Sequence, residues 1–512
     1  MGLGVTLAVC LVGMTGHLVE VEAHLAASVP GFTLVGLPDT SLAESRDRVR
    51  AAVASTGLVL PQRKVTVNLS PASLPKSGSG YDLAIAVAML AGAGLVRHEG
   101  LARTVHLGEL GLDGRVHPVR GVLPAVAAAA AAGVTRVVVP AANAAEAGLV
   151  PGMEVYGAHR LAEVVARYGA DVVVPPDVGV RPGGLVTAQV RTDLGDLSDV
   201  VGQASARAAL EVAAAGGHHL LMVGPPGTGK TMLAQRLPGL LPALTESEAI
   251  EVTSVHSVAG TFDASRGLLD RPPFEDPHHT ATPAAVVGGG SGTPRPGAAS
   301  RAHRGILFMD EAPEFSPRVL QTLRQPLEHG ELVIQRAAGS ARYPARFQLV
   351  LAANPCPCGL SIGKGLECSC TPMARRRYFA RLSGPLLDRV DLQVEVHPVT
   401  RLDAMDETVR EGTDVVARRV LQAREAARER LRPAGWTTNS EVPGTWLRDK
   451  IGNGRVLLRD LDAALDRGTL SLRGADRVLR VAWTLADLAG RLSPEPDDIG
   501  RALMLRTRGH GL

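Results

Sequence analysis

The chain has 512 residues, and at typical domain sizes of about 100–200 residues it divides into roughly three domains. Apolar residues make up 45% and charged residues 21%, which excludes a disordered or fibrous chain. The net charge of +3 and only 3% aromatics exclude a bulk-charge argument for nucleic-acid binding and a broad base-stacking surface, so any basic face must be local.

Residues 1–176 read as a first α/β unit. Val19–Glu22 and Val65–Val67 alternate as half-buried strands do. Ser41–Thr56 has helical spacing, with Asp39 and Thr40 as caps and Gly57 as its end. Asp82–Ala93 and Pro124–Ala132 predict helices, and Arg136–Val139 a short buried strand ended by Pro140. Residues 177–196, rich in Pro and Gly, predict a linker. A second α/β unit follows at 197–400, and 401–512 is helical, with helices expected at 408–432, 457–467, 474–489 and 497–508. Gly288–Gly297 is low in complexity and reads as a mobile loop. Apart from His17 and His24, the first basic side chain is Arg46, so the N-terminus lacks the charged region of a signal peptide. The longest apolar run is too short and too Ala-rich to span a bilayer, which predicts a cytoplasmic protein without membrane contact.

The second unit carries the chemistry. Leu220–Val223 is a short apolar strand that runs into Gly224-Pro225-Pro226-Gly227-Thr228-Gly229-Lys230-Thr231 and then a helix. This is the P-loop pattern with its strand and helix in place. Its glycines let backbone N–H groups close around phosphate oxygens, helped by the helix N-terminus. Lys230 is expected to reach the β- and γ-phosphates of ATP, and Thr231 to ligate Mg²⁺. A second apolar strand, Ile306–Met309, ends in Asp310 and Glu311. At that position Asp310 would hold Mg²⁺ through water and Glu311 would act as general base. A third strand, Phe347–Ala353, delivers Asn354 to the same edge, where it either contacts the γ-phosphate or serves the turn before Pro355.

Cys356, Cys358, Cys368 and Cys370 give C-x-C-x9-C-x-C. Four soft thiolates in so short a stretch suit tetrahedral Zn²⁺, with free thiols or a redox pair as alternatives. A bound metal there would brace the loop after Asn354. Residues 331–389 hold nine basic side chains (Arg336, Arg342, Arg346, Lys364, Arg375, Arg376, Arg377, Arg381 and Arg389) against Glu331, Glu367 and Asp388. Leu332–Arg336 and Ala341–Phe347 flank Gly339 as a hairpin. This stretch is either a sequence-independent phosphate-contacting face or an ordinary solvated one. His278 and His279 would point apart in extended chain, and loop polarity accounts for them.

Val201-Gly202-Gln203, Pro277-His278-His279, Ala302-His303-Arg304-Gly305, Leu323–Glu328, Asn354–Gly359 and Ser383–Arg389 together resemble the magnesium-chelatase-like AAA+ ATPases of the ComM (YifB) family. The resemblance covers the whole chain, including Val35–Asp39, Glu44–Arg46 and Leu470–Arg473. It implies a Lon-protease-like (ribosomal S5 domain 2-like) N-terminal domain, an AAA+ P-loop core and a C-terminal helical lid. It implies that Asn354 is sensor 1, that Arg389 is an arginine finger acting on a neighbouring subunit, and that Arg473 is sensor 2. A homo-oligomeric ring, in all expectation a hexamer, follows, because a finger supplied in trans makes hydrolysis depend on assembly. In related motors the hairpin before sensor 1 faces the pore. Where the family reads an Arg in its VARTIADL segment, this chain has Trp483. No Lys lies between Lys76 and Lys230, so the Ser–Lys dyad of a Lon protease cannot be built.

The function expected is therefore an ATP-driven ring that moves on single-stranded or branched DNA, with branch migration in recombination or DNA uptake as its role. A chelatase-type remodelling ATPase acting on a protein partner is the alternative, weakened by the absence of a D-x-S-x-S motif. A non-hydrolysing DNA scaffold conflicts with the intact Lys230, Asp310, Glu311 and Arg389.

Overall fold

The computed structural model describes residues 2–506 apart from 38, 40–41, 43, 75, 77, 177–194, 291–293, 337–338, 362–366, 383, 402, 404–409 and 452–454. Most of the expected linker lies outside the described residues, as does Lys364.

The N-terminal unit is built on a seven-stranded mixed sheet in the order Gly31–Val35, Lys64–Ser70, Thr15–Ala26, Gly2–Val12, Thr104–His106, Arg136–Pro140, Glu154–Ala158. Alternation sets its inner face: Val19, Val21, Ala23 and Leu25 of one strand are buried. Helix Asp82–Gly92 is apolar around almost its whole circumference and is buried at every position. It seats against the sheet so closely that a Cβ on Gly4 would fall 2.1 Å from the Ala88 carbonyl oxygen. The helix expected over 41–56 is described as Ser45–Ser55, and that at 124–132 as Val122–Ala131.

The second sheet is entirely parallel, in the order Phe274–Glu275, Ile306–Met309, Gln348–Ala353, Leu220–Val223, Leu392–Glu395. The three inner strands are buried and, apart from Gln348, apolar, as a sheet covered on both faces requires. The C-terminal helices Thr413–Leu431, Gly444–Ile451, Arg455–Asp466, Leu472–Leu488 and Pro496–Met504 share one core with this sheet, joining Leu210 and Leu220 to Val420, Val478, Leu485 and Ile499. Trp483 is buried in that core beneath the Arg430 guanidinium, 4.5 Å from the ring centre, and Arg430 in turn binds Asp487. The Trp that departs from the family pattern is thus absorbed as packing and a cation–π contact.

One sequence expectation gains detail and another is corrected. The ends of the Gly288–Gly297 run form a short antiparallel ribbon, Gly288–Gly289 against Arg295–Pro296. A Cβ on Gly288 would lie 2.4 Å from the Arg295 carbonyl oxygen and one on Gly297 2.4 Å from the Gly288 nitrogen, so these two glycines serve close backbone approach, while 291–293 lie outside the described residues. His278 and His279 do not point apart: the chain turns there, and their ring centres are 4.1 Å apart.

Candidate functional site

A parallel sheet presents its strand C-termini on one edge, and that edge gathers Lys230, Thr231, Asp310, Glu311 and Asn354. Gly227 and Gly229 take positive φ (77° and 86°), turning the chain so that helix Lys230–Leu240 begins beneath the loop. The buried Lys230 Nζ donates to the carbonyls of Gly224 (2.7 Å) and Pro225 (2.8 Å) and to Asn354 Oδ1 (3.3 Å). Burial lowers the pKa of Lys230, and the nearby Asp310 and Glu311 oppose that shift. Thr231 Oγ1 donates to Asp310 Oδ2 at 2.7 Å. A hydroxyl and a carboxylate in this pairing are the oxygen donors a hard divalent cation takes. Gln203, in the left-handed region at φ 57°, donates from Nε2 to the carbonyls of Thr228 (3.3 Å) and His397 (2.5 Å), tying the loop to the sheet's edge strand.

Glu311 is exposed and held at φ 49°, a strained conformation for a non-glycine residue. His279 Nδ1 stands 3.2 Å from Glu311 Oε2. The sequence reading assigned this histidine to loop polarity. The structure instead pairs it with the Glu311 carboxylate. Only the neighbouring Pro277-His278-His279 run in the family pattern hinted at it, since 32 residues separate the pair.

Arg389 and Arg473 stand at the other edge. Leu220 pairs with Leu392 and Val223 with Glu395, so His219 and Asp391 mark the entry end of these strands, about 10 Å of strand away from the P-loop. Arg477 donates from Nη1 to Asp391 Oδ1 (2.6 Å) and to the Arg389 carbonyl (3.1 Å), which anchors the first turns of helix Leu472–Leu488 at that end. Arg473 is exposed one turn before Arg477. Arg389 forms an ion pair with Glu328. Its pKa is lowered by burial and then by Arg477, Arg324 and Arg473, a cluster of like charge. Neither Arg389 nor Arg473 is gathered with Lys230.

The four cysteines do come together. Cys356 Sγ lies 3.3 Å from Cys358 and 3.6 Å from Cys368, Cys358 lies 3.7 Å from Cys368, and all four sulfurs fall within 4.8 Å of one another. Such a cluster can hold a metal ion. Burial pushes the Cys356 thiol up to about 11, whereas the Leu360 backbone N–H draws Cys358 down to about 6.

The hairpin before Asn354 spans Glu331–Arg336 and Gly339–Pro344. Several of its neighbourhood's cations are engaged: Arg342 with Glu331, Arg381 with Glu314, Arg389 with Glu328, and Arg375 with Ser361 and the Cys370 carbonyl. The backbone of Arg342 also abuts Gly13 of the N-terminal sheet. Arg376 and Arg377 are exposed on helix Pro372–Ala380. Among the described residues, no helix is long and apolar enough to cross a membrane.

Three family descriptions match the chain in order. Subunit ChlI of Mg-chelatase covers residues 21–143, magnesium chelatase subunit ChlI covers 196–404, and the ChlI C-terminal region covers 410–506. An uncharacterized protein of Mycobacterium tuberculosis is 52% identical over 99% of both chains. Competence protein ComM of Haemophilus influenzae is 41% identical over 96% of this chain and 94% of its own. YifB of Escherichia coli is 40% identical over 93% of this chain and 91% of its own.

Proposed function

This chain belongs to the ComM (YifB) family of magnesium-chelatase-type AAA+ proteins, and from that premise we propose that it is a cytoplasmic ATP-hydrolysing ring motor acting on DNA. The observation that carries the reading is the division of the site between two edges of one sheet: Lys230, Asp310 and Asn354 on one, Arg389 and Arg473 on the other.

In this reading the P-loop backbone and Lys230 cradle the β- and γ-phosphates of ATP, and Thr231 and Asp310 would hold Mg²⁺. The cation, when bound, neutralises charge on those phosphates. Glu311 takes a proton from the attacking water, and Asn354 orients the γ-phosphate and water as sensor 1. Arg389 and Arg473 cannot reach the P-loop of their own chain across the sheet, so they serve the site of a neighbour as finger and sensor 2. That arrangement calls for a closed ring, a hexamer. The N-terminal unit is a Lon-like fold without a catalytic dyad, the C-terminal helices are the lid, and the four cysteines carry structural zinc. Arg376 and Arg377, with the hairpin, contact DNA phosphates without reading sequence, and the ring drives branch migration.

The test is ATP turnover by the purified protein alone, with single-stranded DNA and with forked DNA. DNA raises turnover several-fold if the reading holds. Turnover indifferent to every DNA tested, in a protein that still forms rings, removes the DNA role and leaves a protein client as the object of the motor.

A further inference from the structure

The cysteine cluster is placed on the nucleotide site itself. Cys356 follows Asn354 by two residues at the end of the central strand Gln348–Ala353, and Gly359 N–H closes the knuckle by donating to the Cys356 carbonyl at 3.0 Å. Gly359 is buried, with φ 78°. A Cβ there would lie 2.7 Å from Cδ and 2.9 Å from Cγ of Pro226, so the knuckle backbone rests on the proline ring of the P-loop. Lys230 closes the circuit by bonding both the P-loop carbonyls and Asn354. The other two cysteines lead out of the cluster. Cys368 and Cys370 run into helix Pro372–Ala380, capped by Thr371 Oγ1, which accepts from Ala374 N–H at 3.2 Å. Arg375 of that helix binds back to the Cys370 carbonyl and to Ser361, while Arg376 and Arg377 face solvent.

The sulfur separations fit one ion. Zinc–thiolate bonds of about 2.3 Å in a tetrahedron place sulfurs about 3.8 Å apart, against 3.3–3.7 Å for the three closest pairs here. A disulfide would require about 2.05 Å. The buried Cys356 and the exposed Cys358 come from the strand side, and Cys368 and Cys370 from the helix side. Without an ion, therefore, no covalent or coordinate bond joins the two arms.

We infer that a zinc ion held by Cys356, Cys358, Cys368 and Cys370 clamps the P-loop and couples it to the basic helix Pro372–Ala380, so that metal occupancy governs nucleotide affinity. The inference rests on the zinc reading above and adds a function to it. It commits the knuckle to act through positioning: it touches Pro226 and flanks Asn354, and it does not touch the reacting atoms.

The experiment uses the full-length protein as isolated. Metal content is measured by elemental analysis, and the ion is displaced with a mercurial reagent under a zinc-sensitive dye. Affinity for a fluorescent ADP analogue is read before displacement, after it, and after thiol rescue with added Zn²⁺. Expected are about one zinc per chain, a loss of nucleotide affinity of roughly tenfold on displacement, and recovery with zinc. Cys358→Ser and Cys368→Ser should copy the loss. Gly359→Ala, which leaves every ligand in place but drives a methyl group into Pro226, should keep its zinc and still bind nucleotide roughly tenfold more weakly. That variant keeps the inference testable if the cysteine variants fold poorly, which thermal unfolding would reveal. Four freely titrating thiols with no zinc overturn the zinc reading and the inference with it. Stoichiometric zinc whose displacement leaves nucleotide affinity unchanged overturns the inference alone.

Discussion

The two edges of the parallel sheet carry similar charges and treat them in opposite ways. At the exit edge, Lys230 is matched by two carbonyls and Asn354, and Thr231 by Asp310. The geometry there is closed and needs only a ligand. At the entry edge, Arg324, Arg389, Arg473 and Arg477 crowd together, with Asp391 bound by Arg477 and Glu328 by Arg389. Like charges gathered this way cost free energy in the isolated chain, and an anionic surface brought by a neighbour relieves that cost. In the proposed reading one edge is a site and the other a contribution to a neighbour's.

The largest effects should come from breaking the closed edge. Lys230→Ala removes the cation that bridges P-loop and Asn354, and hydrolysis should fall by about two orders of magnitude or more, with ATP binding weakened in parallel. Arg389→Ala should cost about 10³-fold in turnover while leaving nucleotide affinity near that of the parent, because its own P-loop is untouched. The two defects should also complement. Rings mixed from Lys230→Ala and Arg389→Ala chains contain interfaces with both an intact P-loop and an intact finger, and they should regain measurable activity. If the mixed rings stay dead while each variant assembles normally, the two edges do not belong to one site.

His279→Ala is a finer cut. The imidazole stands 3.2 Å from Glu311, and in the proposed mechanism that contact would restrain the base. Removing it should raise turnover without DNA by several-fold and shrink the stimulation DNA provides. A fall in basal turnover of the same size would instead make His279 a positioning residue that aims the carboxylate.

The same contrast explains what the sequence made legible. Lys230, Thr231, Asp310 and Glu311 sit at fixed offsets from apolar strands, and strand order in a parallel sheet forces their C-terminal ends to one edge. The gathering of Cys356, Cys358, Cys368 and Cys370 was readable because their spacing in sequence is so short. Arg473 was readable as a residue but not as a place: its offset within a helix says nothing of which edge the helix docks against, and that depends on Arg477 meeting Asp391 some 86 residues away. The His279–Glu311 pair and the Gly359–Pro226 contact escaped for the same reason, as products of tertiary approach. The ribbon at the ends of the 288–297 run was not legible because the residue that permits disorder also permits the closest backbone packing.

Arg304 offers the smallest test and a control on the idea of a like-charged entry edge. It precedes strand Ile306–Met309 at that edge, takes φ 58°, and is satisfied within the chain by Glu248 (2.6 Å) and Glu251 (2.7 Å). Glu251 also binds His303 at 3.2 Å. Hydrogen bonding to His303, and then to Arg304, draws the Glu251 carboxyl from 4.5 down to about 2, against the opposing effect of burial. Between those values the unfolded chain binds the proton that the folded chain refuses, so stability falls as pH drops. The contribution is complete above about pH 4.5 and is lost progressively toward pH 2. Because Glu251 is partly exposed, it is worth about 1 kcal/mol at most. Urea midpoints at pH 6 and pH 3 should therefore converge slightly in Glu251→Gln relative to the parent, with the variant lower at pH 6. Arg389→Ala removes like charge from a crowded edge together with the Glu328 ion pair, so the midpoint at pH 6 should change little even as activity disappears. A matching drop in both variants would mean that Arg389, like Arg304, is spent on its own fold.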